Sequence, residues 1–213
     1  MAIVQSINLG RAAPNPDKQG LRTGIHKQPH EGPVELRAPG PKHGGLGSGL
    51  VGDHIGDRRS HGGGDQAVYA FAREDLDRWQ VRLDRELPNG SFGENLTTIG
   101  IDLTEAVMGE RWRVGETVEL IVTYPRIPCV TFAGKMAIPG WLKTFTADGR
   151  PGAYLRVVVP GPVRAGDPIE VLDRPDHGVT IGLAFQGLTT DRSLHPRFLE
   201  AEQLMGGTTS ASS

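Results

Sequence analysis

Val118-Glu119-Leu120-Ile121-Val122-Thr123-Tyr124-Pro125-Arg126-Ile127-Pro128-Cys129 is the stretch on which the reading of this chain turns. From Thr117 to Tyr124 it is rich in β-branched residues and reads as a strand. Pro125 and Pro128 cannot both donate to a sheet ladder, so the strand ends there and Cys129 is expected on a stiff turn at a strand end. Arg126, three residues before the cysteine, favours thiolate, the form that binds soft metals or attacks electrophiles. A lone cysteine is also commonly a small buried hydrophobe, and the residues alone do not choose between the two.

Upstream, Arg113 to Leu120 matches Arg164 to Val171 as R-x-G-acid-x-aliphatic-E-aliphatic, and each copy looks like a tight turn launching a strand. Such turns are a common hairpin device, so coincidence explains the match equally well. Further strands are expected over Ala2 to Leu9, Asn95 to Ile99, Ala153 to Val159 and Ile169 to Leu172. Between the first two, Arg11 to Gly52 is broken by Pro, Gly and Lys and suggests a long ordered loop over a site. Leu76, Trp79, Leu83 and Leu87 recur at helical spacing within AREDLDRWQVRLDREL (72–87), predicting an amphipathic helix that stops at Pro88-Asn89-Gly90. Trp141 and Phe145 suit a short helix against the core. With 30 glycines and 16 prolines, the 213 residues punctuate short segments in the manner of an all-β barrel and exclude a helical bundle.

A net charge of -2, from 23 basic and 25 acidic residues, provides no general drive toward nucleic acid or anionic membrane, so neither is expected as a partner. No apolar run approaches the roughly 20 residues of a membrane span, and MAIVQSINLG lacks the form of a secretion leader, which leads us to expect a cytoplasmic protein. One cysteine permits neither an internal disulfide nor an iron–sulfur cluster. Any electrons must then come from a separate reductase. His26 and His30 have zinc-site spacing, but Pro29 lies between them and argues against the helix that site needs. His43, His54, His177 and His195 fall outside convincing motifs.

Five segments together resemble the MOSC family, named for the C-terminal domain of molybdenum cofactor sulfurase, and within it the YiiM-like proteins. They are GIHKQP (24–29), HGGGDQAVYAF (61–71), GSFGENLTTIG (90–100), YPRIPC (124–129) and GAYLRVVVPGPVRAGDPIEV (152–171), and they stand in family order. The resemblance implies a mainly β, MOSC-type (pyruvate-kinase-like) β-barrel with a few peripheral helices over residues 1–172. A short helical C-terminal appendage over 173–207, shorter than the extension of larger relatives, and a disordered tail over 208–213 complete the expected organisation.

The same resemblance implies a molybdenum cofactor (Mo-molybdopterin) with Cys129 as the metal ligand and as a catalytic residue. Lys27, Arg126 and Arg156, each inside a matched segment, are candidates to neutralise the cofactor's negative charge. Gly62 and Gly63 would let backbone amides approach an anion. His61 is a candidate cofactor contact and proton donor, Glu94 an alternative proton source, and Asn95 an amide donor to cofactor or substrate. The implied activity is reduction of small N-hydroxylated compounds, of N-hydroxylaminopurine or amidoxime type, to amines. The competing expectations are a non-catalytic carrier or sensor of cofactor or sulfur, and a barrel that keeps the fold without the site. Oligomeric state is left open.

Overall fold

Period-two burial appears where the β-branched runs led us to expect it. The computed structural model describes residues 1–207; the expected disordered tail, 208–213, lies outside them. In β9 (Val118–Pro125), Val118, Leu120 and Val122 point into the core and Glu119 and Ile121 lean outward. In β10 (Ala153–Val159), Ala153, Leu155 and Val157 are buried inside, which places Tyr154 and Arg156 on the other face.

Ten further strands complete the set. β1 is Ile3–Gly10, β2 Ala13–Pro14, β3 Arg22–Thr23, β4 Lys27–Pro29, β5 Val34–Leu36, β6 Val68–Ala72, β7 Leu96–Ile99, β8 Arg111–Val114, β11 Gly161–Val163 and β12 Ile169–Asp173. Eight form one sheet in the order β12-β8-β9-β10-β6-β7-β1-β4, antiparallel except for β6 and β7, while β2–β3 and β5–β11 are separate pairs. The parallel pair is connected through α1 (Arg73–Leu83), as a parallel neighbour requires a crossover.

This sheet is barrel-like rather than a fully closed barrel. Its two ends approach where Val4 N donates to Asp167 O at 2.9 Å, Gly166 N to Val4 O at 2.8 Å and Ile169 N to Ala2 O at 2.9 Å. The duplicated R-x-G-acid turns meet there as well. Gly115 and Gly166 adopt left-handed φ of 65° and 93°, and Gly115 N donates to Pro168 O at 2.9 Å. Both are tight turns launching β9 and β12.

The helix expected to run to Leu87 ends at Leu83. Asp84 turns left-handed at φ 49° and returns its N–H to Gln80 O. Leu87 remains buried because its N–H donates to Gln80 Oε1 at 2.8 Å and its carbonyl accepts from Arg73 at 2.9 Å. Two short helices follow β9: α2 (Val130–Met136) and α3 (Trp141–Asp148). Beyond β12, α4 (Ile181–Thr189) and α5 (His195–Gly207) add Ile181, Ala184, Phe198, Ala201 and Met205 to the buried cluster inside the sheet.

A second core lies on the outer face of the sheet. Phe71, Trp79, Phe92, Phe132, Trp141 and Phe145 are buried together with Leu76, Leu87 and Tyr69. Trp141 and Phe145 thus pack as the helical spacing foretold, with ring centroids 5.9 Å apart. Cys129 and Tyr154 lie on the edge of this aromatic cluster.

Candidate functional site

Pro125, at the end of β9, still faces Ala153 of β10, but the chain then leaves the sheet and Cys129 becomes the extended residue capping α2 (φ -128°, ψ 169°). It lines a cavity with about 700 Å³ of empty space. Tyr69 of β6 and Tyr154 of β10 contribute side chains from the sheet, and Phe92 reaches it from the aromatic cluster. Segments 22–27 and 53–57 form walls, while His61, Gly62 and Gln66 come from the glycine-rich segment before β6. The close crossing of the walls needs glycine at position 24, where a Cβ would stand 1.8 Å from the His54 carbonyl oxygen.

Part of the broken stretch from Arg11 to Gly52 folds over this cavity. The β2–β3 hairpin places Asn15 Nδ2 3.1 Å from Thr131 Oγ1 of α2, and Lys18 Nζ 2.5 Å from Asp57 Oδ2. The Lys18 hydrogen bond holds the Asp57 carboxyl down at about 2. From below, Lys135 of α2 donates to the carbonyls of Ile25 at 2.8 Å and Gly90 at 2.9 Å, tying both segments to the helix that Cys129 caps. Burial pushes the Lys135 ammonium down to about 8, with Glu94 opposing and Lys27 and Arg126 assisting.

The electrostatics around the thiol favour thiolate. Burial by itself pushes the Cys129 value up, but a hydrogen bond with His61, the Arg126 charge and the Phe132 backbone N–H outweigh it, and the value falls from 9.0 to about 6. Arg126 is 5% exposed, its guanidinium carbon 3.8 Å from the Phe132 ring centroid and 5.6 Å from that of Tyr69. Its Nη1 is buried without a hydrogen-bond partner among the described residues. A guanidinium stays charged at any accessible pH, so this unpartnered donor in a cavity wall is suited to an anionic or acceptor-bearing ligand.

Six of the sequence-predicted residues come together in this cavity: Lys27, His61, Gly62, Asn95, Arg126 and Cys129. Lys27 arrives already paired. Its Nζ lies 2.6 Å from Asp53 Oδ1, and Asp53 also accepts from Gly10 N at 2.7 Å, Ser48 Oγ at 2.7 Å and Asn95 Nδ2 at 3.0 Å. Three predicted residues do not line it. Gly63 faces a neighbouring cavity with Lys42 and Ile127, on the far side of the Gly62 to Gln66 segment. Arg156, on the opposite face of β10 from Leu155, pairs with Asp65 at 2.6 Å. Glu94 is fully buried and accepts from Gly90 N at 2.5 Å, Phe92 N at 2.9 Å and Thr97 Oγ1 at 3.0 Å, bracing its own turn. Burial raises its value despite these bonds.

The residue reading passed over Asp53, His54, Gln66 and Tyr154 as cavity residues. Gln66 and Tyr154 stood inside the HGGGDQ and GAYL segments, so the signal was present. Asp53 and His54 belong to a loop without periodicity, and only the close crossing at Gly24 shows where they face. Among the described residues no three His, Cys, Asp or Glu side chains are grouped to hold a metal by themselves, and the His26–His30 pair forms no such site. A metal at Cys129 would require donors from a non-protein ligand. None of the described helices is long and apolar enough to cross a membrane.

A mixed β-sheet with a thiolate-favouring cysteine at the strand end beside an arginine defines the class. The pattern of the MOSC domain matches residues 57–170, more than half the chain, and the protein belongs to the MOSC domain family. The chain is 33% identical over 182 residues to the uncharacterized protein YflK of Bacillus subtilis, covering 85% of this chain and 78% of that one. It is 31% identical over 159 residues to a protein of Gibberella moniliformis named reductase, covering 73% of this chain but only 26% of that longer one. The crystal structure of YiiM from Geobacillus stearothermophilus shares the fold, with a TM-score of 0.71 at 22% identity over 95% of this chain and all of the other.

Proposed function

We propose that this MOSC protein binds a molybdenum cofactor through Cys129 and reduces small N-hydroxylated compounds to amines, with electrons from a separate reductase. The observation that carries the reading is the pairing, in one cavity, of a thiol held at about 6 with a buried arginine whose Nη1 has no partner among the described residues. A soft anionic sulfur and an unsatisfied cation suit a ligand that has both a metal centre and negative charge.

When bound, the cofactor supplies a metal that exchanges two electrons with its substrate. The chain's own residues have narrower tasks. Cys129 presents sulfur from a rigid strand end; Arg126 neutralises negative charge behind Phe132; His61 stands in the same cavity wall as Cys129 to hand on a proton. Tyr69, Phe92 and Tyr154 form apolar walls that exclude water. Overall, the N–O bond breaks, the substrate takes up two electrons and two protons, and amine and water leave. The name reductase given to the Gibberella moniliformis relative supports reductive chemistry.

The test is metal and pterin analysis of the full chain made in a cofactor-producing host, followed by reduction of an aromatic hydroxylamine with a supplied reductant. Bound molybdenum and pterin with turnover are expected. Folded protein carrying neither would overturn the reading, while rapid release of cofactor to an acceptor without turnover would identify a carrier instead.

A further inference from the structure

Three buried polar atoms in the cavity wall have no hydrogen-bond partner among the described residues: Arg126 Nη1, His54 Nε2 and Gln66 Oε1. Each would cost stability if left dry, so together they describe what must enter. Arg126 offers only a donor and therefore calls for an acceptor or an anion. Gln66 Oε1 offers only an acceptor and calls for an N–H or O–H. His54 Nε2 serves as either, depending on tautomer. A bare phosphate or carboxylate answers Arg126 but leaves the Gln66 oxygen unmet.

We infer that His54 and Gln66 form a recognition edge in the Cys129 cavity for a planar nitrogen heterocycle that carries N–H donors beside lone-pair acceptors. The inference rests on the proposed cofactor reading, because two heterocycles with that edge would then visit the cavity: the pterin of the cofactor and an N-hydroxylated base as substrate. The setting suits hydrogen bonding to a neutral ring. Burial pushes the His54 imidazole down, Asp53 opposes, and Arg22, Arg58 and Lys27 push further down, which favours the neutral form. Tyr154, partly exposed in the same space and backed by the buried rings of Tyr69 and Phe92, provides ring surface against which a flat heterocycle packs. The nearby polar groups Lys27, Asp53 and Asn95 are engaged with one another, whereas His54 Nε2 and Gln66 Oε1 are without a partner among the described residues.

The experiment uses Gln66→Leu and His54→Leu in the full chain from a cofactor-producing host, each with its melting temperature as a fold check. Molybdenum and pterin per folded protein are measured first, then kcat and KM for an N-hydroxylated purine and for benzamidoxime, which lacks the ring edge. Loss of one such hydrogen bond is worth about tenfold in affinity. If the edge belongs to the cofactor, pterin content falls by about that factor and Gln66→Asn restores part of it. If it belongs to the substrate, content is unchanged and KM for the purine rises about tenfold with kcat and benzamidoxime kinetics unmoved. Loaded wild type with folded variants unchanged in both respects overturns this inference alone; wild type that takes up neither molybdenum nor pterin overturns the cofactor reading and this inference with it. Should one variant fail to fold, the other carries the same test.

Discussion

Lys27 and Asp53, 26 residues apart in the chain, meet as a buried ion pair with 2.6 Å between Nζ and Oδ1 and side-chain exposures of 7% and 1%. The carboxylate is the hub, since it also accepts from Gly10 N, Ser48 and Asn95. Asp53→Ala strands the Lys27 charge and three further donors, and is expected to cost about 3–5 kcal/mol. Lys27→Met leaves Asp53 with its other donors and should cost clearly less. Urea denaturation of both variants checks this, and equal losses would remove Asp53 as the hub.

The Cys129 thiol, held at about 6 instead of 9.0, gives a direct signature in cofactor-free protein. Alkylation by iodoacetamide should rise with pH and reach half its plateau near pH 6. Since folding lowers this value, the thiolate's contribution to stability is present above the unfolded value and is lost as pH falls through about 6. His61→Ala removes the hydrogen bond and should move the midpoint upward. A midpoint near 9 in the unaltered protein would contradict the geometry around the sulfur.

Cys129→Ser separates a ligand from a structural cysteine. As a ligand, its loss removes the soft anionic donor, and N–O reduction should fall by about two orders of magnitude or more while the melting temperature holds. A structural cysteine would instead show a stability loss of about 1–3 kcal/mol with activity per folded molecule retained.

The sequence offers His61 as proton donor and Glu94 as an alternative proton source, and their surroundings differ. Of the two, only His61 lines the cavity and helps lower the Cys129 thiol, whereas Glu94 braces the Gly90 to Thr97 turn. We expect His61→Gln to lower turnover by about a hundredfold. Glu94→Gln should leave turnover per folded molecule nearly intact but destabilise by about 1–3 kcal/mol, because an amide N–H then opposes a backbone donor. Comparable turnover losses in the two variants would return Glu94 to the mechanism.

Arg126→Met tests whether the unpartnered cation is kept for a ligand. The substitution relieves the burial of an incompletely bonded charge but forfeits its stacking on Phe132. Stability of the cofactor-free protein should therefore change by no more than about 1 kcal/mol. Pterin content should fall at least about tenfold, as measured after oxidation to a fluorescent product. A strongly destabilised variant that still binds cofactor would assign Arg126 to the fold.

Local pattern sufficed for much of this molecule. Period two in β9 and β10, the prolines after Tyr124, the glycine turns at Gly115 and Gly166 and the spacing of Trp141 and Phe145 each concern neighbours in the chain. Strands, turns and helix faces obey such short-range rules, so the β-rich class and a cysteine at a stiff strand end were legible from the amino acids. Even there, Asp84 ended α1 before Leu87 because a left-handed cap is a single-residue event that periodicity does not register. Which charges remain available was decided only in three dimensions. Lys27, Arg126 and Arg156 look alike as sequence, but Asp53 takes the first, Asp65 takes the last from 91 residues away, and Arg126 alone keeps an unpartnered nitrogen toward the Cys129 cavity. Charge pairing depends on distance in space, and the sheet order that sets those distances joins segments far apart in the chain.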